Sequence, residues 1–229
     1  MKKKFLRQII EKKKKKIEFS IITNLNNGEN CIFDKDKKIS KNFEKYKKKI
    51  KYYFDNKKSG IIENTDIFVE TIIRPIKVFI VGAVHITQHI INLSKELNLE
   101  LVIIDPRKYF ASKKRFPDVN IINKWPLQVF NKTIVGKNSA LVVLTHDPKI
   151  DDSAIEYALK NNFFYIGALG SKKTHKNRTE RLKKSGFSNK QVKKIFGPIG
   201  IKLGGKSSPE IALSIVSQLI LEINRKNNF

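Results

Sequence analysis

Residues 78–90 read VFIVGAVHITQHI. An apolar run from Val78 to Val81 meets Gly82, and an amphipathic pattern follows, so the stretch reads as strand, tight turn and helix. A dinucleotide fingerprint at such a turn takes glycine at 82 and 84, and glycine or alanine at 87. This chain has Gly82, Val84 and Thr87. Gly82 allows the sharp exit from the strand. The helix behind it offers free N–H groups and a positive dipole end to an anion. Val84 occupies space through which a pyrophosphate approaches the backbone, and a β-branched residue resists φ > 0. The stretch specifies a nucleotide-type fold whose first turn departs from dinucleotide binding.

Outward from this stretch the chain keeps an α/β rhythm. The helix is expected from about 85 to 98, with Ile86, Ile90, Leu93 and Leu97 as its apolar stripe. LELVIID ends a second strand at Asp105, DVNIIN is a short third, and SALVVLTHD is a fourth, apolar almost throughout as a strand buried on both faces should be. A helix over 151–161 precedes the strand FFYIGALG, and one or two helices span 172–195. GPIGIKLGG is turn-rich or a short strand. The last helix begins at SSPEIA, where Ser207 or Ser208 can cap, Pro209 suits the first turn, and Ile211, Ile215, Leu219 and Ile223 form the stripe. This alternation predicts an α/β doubly wound parallel sheet with its ligand edge at the strand C-terminal ends. In the usual strand order the reversal falls between the first and fourth strands, which sets the end of FIVG beside the end of LTHD.

Before residue 75 the composition changes. Residues 2–16 are a basic amphipathic helix, readable either as an ordinary surface helix or as one lying on a membrane. A strand over 17–24, a turn at NNGEN, a return strand CIFD, a lysine-rich helix over 42–56 and a strand over 66–72 complete a small α+β pattern. The expected division is a reduced N-terminal α+β domain, 1–74, and a second domain, 75–229. No internal repeat is visible.

A single cysteine, Cys31, excludes an intramolecular disulfide and fits a reducing cytoplasm. No apolar run reaches the roughly 18 residues of a membrane span, and no secretory h-region is present. The formal net charge of +26 admits two readings. One is a polyanionic partner; the other is compositional bias, since Lys, Asn, Ile and Phe are all abundant and the lysines are spread along the chain. No nucleic-acid recognition motif supports a specific nucleic-acid partner. On either reading a small anionic ligand meets an attractive field.

Several residues can carry chemistry at the predicted edge. Asp105, 23 residues after Gly82, can bond ribose hydroxyls, or can pair with Arg107 in a polar DPR turn. Thr145, His146 and Asp147 follow the fourth strand; His146 is a candidate proton donor, ligand or specificity group, with His85 opposite it. Gly167, Gly170, Ser171, Lys172, Lys173 and Thr174 make a candidate anion cradle of exposed N–H groups, hydroxyls and charge, or a plain strand–helix turn. It is not a P-loop, because the glycine spacing is wrong. His85 and His89 stand at i, i+4, but no third ligand joins them, so no metal site is expected.

Taken in order, these segments resemble the C-terminal domain of the XdhC/CoxI family, the xanthine dehydrogenase accessory proteins. The resemblance is carried by GAVH at 82–85, DPRKYF at 105–110, RFP at 115–117, THDPKIDD at 145–152, YIGALGSKKTHKNR at 165–178, GPIGIKLGG at 197–205 and SPEIALSI at 208–215. It implies a Rossmann-like domain and a cytoplasmic chaperone, not a turnover enzyme. Such a protein binds molybdenum cofactor and helps deliver it, in sulfurated form, to an apo molybdenum hydroxylase of xanthine dehydrogenase type. Gly82, His85, Asp105, Arg107, Thr145, His146, Asp147, Gly167, Gly170, Ser171, Lys172 and Thr174 would then line the cofactor pocket, and a homodimer is compatible with this role. The pattern is departed from at Val84, at Lys202, where the family often has Asp, and in 1–74, where its G-S-x-P-R and G-G-C-x-E segments are not recognisable. The alternative is an NAD(P)-dependent oxidoreductase using the same edge, against which Val84 weighs.

Overall fold

The computed structural model of the chain describes residues 3–35 and 39–227. The chain divides into two compact units, the first ending at Pro75 and the second of Ile76–Lys226. The first contains α1 (Lys3–Lys14), β1 (Phe19–Asn24), β2 (Asn30–Phe33), α2 (Lys47–Asp55), β3 (Gly60–Ile61) and β4 (Ile67–Ile72). Its strands form an antiparallel sheet in the order β2-β1-β4-β3. Ile22, Ile67 and Val69 of this sheet pack against Phe43, Ile50 and Phe54. The helix expected over 2–16 is α1, though Lys2 lies outside the described residues.

The second unit contains β5 (Ile76–Val81), α3 (His85–Leu93), β6 (Leu99–Ile104), β7 (Asn120–Ile122), α4 (Pro126–Phe130), β8 (Ser139–Val143), α5 (Pro148–Lys160), β9 (Tyr165–Ala168), α6 (Lys172–Lys184), α7 (Asn189–Val192), β10 (Ile195–Phe196) and α8 (Ser208–Asn227). Its six strands are all parallel, in the order β10-β9-β8-β5-β6-β7. Chain order reverses between β5 and β8, as the repeating pattern predicts.

The two-residue period of a strand assigns the faces. Phe79, Val81, Leu141 and Val143 point into one core, shared with Ile150, Ile155 and Leu159 of α5 and Phe130 of α4. Val78, Ile80, Ala140 and Val142 point into the other, shared with Ile90 of α3 and with Ile215 and Leu219 of α8. Burial on both faces explains the uninterrupted apolar runs of β5 and β8.

Several boundaries differ from the sequence reading: the helix expected over 42–56 is α2 only from Lys47, strand ends are trimmed by a residue or more, and three differences fall in the second unit. Helix α3 stops at Leu93, because Ser94 (φ −96, ψ 0) turns the chain; Leu97 still packs on the core. Helix α5 begins at Pro148 and not at 151: the Asp147 carboxylate caps it by accepting the Lys149 N–H, and Pro148 occupies the first turn. GPIGIKLGG forms no strand; β10 lies just ahead of it and pairs with β9.

Candidate functional site

The reversal point brings two loops into contact. Val81 O accepts the Leu144 N–H at 2.9 Å. Gly82 adopts φ +117, and a Cβ there would stand 3.0 Å from Thr145 Cγ2 and 3.2 Å from Thr145 N. Only glycine combines that backbone conformation with so close an approach. The β5–α3 and β8–α5 turns are therefore packed together, as the strand order requires.

The first turn is closed by the chain's own side chains. Val84 sits at φ −91, ψ 176. That is extended backbone, so the expected strain at a β-branched residue does not arise; its side chain joins the core shared with α3 and α8. Thr87 is buried and its hydroxyl donates to Gly82 O at 2.6 Å. Arg115 Nη1 donates to the carbonyls of Ala83 and Phe110, each at 2.7 Å. His85 opens α3 as an exposed residue.

Of the two readings of the DPR segment, the pairing is the one found. Asp105 is fully buried, and both its oxygens are engaged. Oδ2 accepts from Ala83 N–H and Arg107 Nη2, both at 2.8 Å; Oδ1 accepts from Arg107 N–H and Nε, both at 2.9 Å. Burial pushes this carboxyl up, but the hydrogen bonds from Arg107 and Ala83 outweigh it and hold the group below its ordinary range. Asp105 in turn raises Arg107, with smaller pulls from Asp147 and Asp151, so the guanidinium lies within electrostatic reach of the β8–α5 turn. It also covers the Phe110 ring, 4.7 Å from its centroid.

The segment after β8 holds the next cluster. Thr145 Oγ1 donates to Asp151 Oδ1 at 2.7 Å and accepts the Asp147 N–H at 3.0 Å. Between them His146 is exposed and takes φ +63, a conformation a non-glycine residue keeps only when its surroundings fix it. In the segment after β9, Gly170 has φ +138, with Thr174 packed where a Cβ would point. Ser171 caps α6 by accepting the Thr174 N–H at 3.1 Å, and Lys172 opens the helix. Gly167 lies inside β9, and the space of its absent Cβ is taken by Ile199 and the Tyr165 hydroxyl, which makes it a packing glycine.

Between these two segments lies a cavity of about 260 Å³. Its lining comes from the β8–α5 side, through His146, Pro148 and Asp151, and from one face of α6, through Lys173, Thr174, Asn177, Arg178 and Arg181. Of the residues expected at the site, His146 and Thr174 line it, and Thr145 is one hydrogen bond behind. Gly82 and His85, in the turn after β5, and Asp105 and Arg107, in the segment after β6, are not in the lining. Sequence reasoning counted Lys173 in the anion cradle but passed over Asn177, Arg178, Arg181 and Asp151 as site residues. The signal was available: 173, 174, 177, 178 and 181 recur at i, i+1, i+4, i+5 and i+8, a single helical face.

Arg178 and Asp151 are both almost wholly buried. The guanidinium donates from Nη2 to Leu169 O at 3.1 Å and stands 3.7 Å from each of Asp151 and Asp152. Its Nε and Nη1, with Asp151 Oδ2, have no hydrogen-bond partner. Asp152 is held in a fork by Arg181, at 2.6 and 3.1 Å. Burial lowers Arg178 and raises Asp151, in each case against their mutual attraction. Among the described residues no group of three or more His, Cys, Asp or Glu is placed to hold a metal ion, and no helix is long and apolar enough to cross a membrane.

Comparison with known proteins bears on these same segments. The family model of the XdhC Rossmann domain matches residues 78–219. The chain is 29% identical over 160 residues to a probable xanthine dehydrogenase subunit of Bacillus subtilis (strain 168), covering 69% of this chain and 46% of that protein. It is 29% identical over 85 residues to the molybdenum cofactor insertion chaperone PaoD of Escherichia coli (strain K12), covering 37% of this chain and 27% of that one. A crystal structure described as a xanthine dehydrogenase from Bacillus halodurans superposes with a TM-score of 0.74 at 20% identity, over 97% of this chain and 65% of that one, a likeness of fold. The chain thus spans less than half the length of either curated relative.

Proposed function

The chain belongs to the family of XdhC Rossmann domains, and from that premise we propose that it binds molybdenum cofactor and aids its insertion into a xanthine dehydrogenase-type apoenzyme. The cofactor is cargo, and its redox chemistry belongs to the client enzyme. One observation carries the reading: the two segments that follow β8 and β9, each a bearer of the family pattern, face each other across one cavity at the C-terminal edge of the sheet. An anionic pterin fits that lining chemically. Arg178 Nε and Nη1 are buried donors without a hydrogen-bond partner, and Asp151 Oδ2 is a buried oxygen without one, though ion pairs at 3.7 Å reach Nε and Oδ2. The first supports an anionic guest, the second a guest with N–H groups of its own. The names of the two relatives, one a cofactor insertion chaperone and the other a xanthine dehydrogenase component, support the same accessory role.

The nicotinamide alternative has less to stand on. The acidic residue it needs for a ribose is spent on Arg107 and Ala83, and Thr87 fills the third glycine position.

The test is purification from hosts with and without molybdenum cofactor synthesis, with assay of the client hydroxylase in cells lacking this protein. Pterin that copurifies only from the first host, with loss of hydroxylase activity in the deletion, is the expected result. A pterin-free protein together with full hydroxylase activity in its absence rules the role out.

A further inference from the structure

The cavity is bounded by two helix beginnings. Pro148 is the first residue of α5, and Lys173 and Thr174 belong to the first turn of α6. Helices of 13 residues each direct positive dipole ends to the same space. Helix ends alone attract anions weakly and without selection. Here a second feature joins them: a guanidinium only 2% exposed that lines the cavity, with no hydrogen-bond partner at Nε or Nη1 and only a 3.7 Å ion pair from Nε to Asp152. A donor so placed costs folding energy unless a guest accepts from it. Lys173 adds an exposed ammonium on the same helical face.

We propose that this cavity is an oxyanion site, in which Arg178 and Lys173, between the beginnings of α5 and α6, hold the phosphate monoester of the bound guest. The guest's identity rests on the cofactor-binding reading above; the oxyanion site itself is a property of this lining. Asp151 is the opposing charge in that lining. Its Oδ1 is occupied by the Thr145 hydroxyl, and burial pushes its carboxyl upward against the pull of Arg178. Asp152 is already neutralised by the fork from Arg181. His146, held at φ +63 on the lining, supplies an imidazole from the other wall.

The experiment titrates the full chain with inorganic phosphate, and separately with a nucleoside monophosphate as a monoester. Calorimetry and phosphorus NMR are read at constant ionic strength with chloride as the balancing anion. Saturable one-to-one binding is expected, with the monoester bound at least as tightly as inorganic phosphate. Loss of charge-assisted hydrogen bonds in Arg178→Gln should weaken both by about ten- to a hundredfold. Lys173→Ala, on an exposed position that leaves the fold intact, should weaken them several-fold. Lys190→Ala, an exposed lysine on α7, should change nothing. Absence of saturable binding, or equal affinity in Lys173→Ala and in folded Arg178→Gln, overturns the site; should Arg178→Gln fail to fold, Lys173→Ala decides. Inorganic phosphate bound more tightly than the monoester overturns the ester assignment. Copurified pterin without phosphate binding sinks this inference alone; phosphate binding without pterin sinks only the cofactor reading.

Discussion

Replacing Asp105 by alanine tests whether this carboxylate is a structural clamp or a ligand group. The side chain ties the first turn, through Ala83 N–H, to the segment after β6, through Arg107. Ala83 is fully buried, so its N–H would be left unpaired at a cost of about 1–3 kcal/mol. The Arg107 side chain is 36% exposed and regains water, so its share discounts to roughly 1 kcal/mol. Asp105→Ala should therefore destabilise the second unit by about 2–4 kcal/mol, and Asp105→Asn, which keeps an acceptor for Ala83, by about half as much. The same clamp has a pH signature. The carboxyl is held below its ordinary range in the folded state, so its contribution is complete above the unfolded value of about 4. It fades as pH falls through the folded value. Urea titrations at pH 7 and pH 3 measure both effects: the gap between wild type and Asp105→Ala should be wider at the first than at the second. A substitution that leaves stability within about 0.5 kcal/mol at pH 7 refutes the clamp and makes Asp105 a ligand group again.

Gly82→Ala should cost about 2–3 kcal/mol, since φ +117 is strained for alanine and the new methyl meets Thr145 at 3.0 Å; a midpoint in urea equal to wild type would contradict this packing of the two turns. Thr87→Ala removes the hydroxyl that donates to Gly82 O and should cost about 1 kcal/mol without creating affinity for NAD(H), which denaturation and fluorescence titration check. Burial, with a smaller push from Glu29, raises the Cys31 thiol from 9.0 to about 11, against the Ser40 hydrogen bond. Alkylation at pH 8 should then run about a hundredfold slower in the folded chain than in urea, and equal rates would show an open thiol.

The fold was legible because its signals are local and repeated. Apolar runs at β5, β6 and β8, each buried on both faces, specify parallel strands, and the helical stripes of α3 and α8 specify the layers over them. Strand order followed from the usual arrangement of a doubly wound sheet, which is why the meeting of Gly82 with Thr145 could be foreseen. The site was legible only in part. His146 announces itself as a polar residue after a buried strand, and Thr174 as a hydroxyl at a helix beginning. Arg178 does not, because in a chain this rich in lysine a cation on a helix reads as solvated surface. Its burial depends on α6 packing beside α5 and on Asp151 and Asp152 lying opposite, which are long-range facts. Val84 misled for the reverse reason: its awkwardness assumed a left-handed turn residue, and the backbone there is extended.

The formal charge of +26 and the cavity act on different steps of recognition. Spread surface lysines raise the local concentration of any anion and speed encounter, but their field decays over about 8 Å at physiological salt. They cannot distinguish one anion from another. Arg178 is shielded from that screening and already lies 3.7 Å from two carboxylates, so an arriving oxyanion competes with charges fixed in the fold. Only a guest that satisfies Nε and Nη1 with correct geometry gains more than those carboxylates already give. Selectivity therefore resides in one buried side chain, and the surplus of lysine governs how fast that side chain is reached.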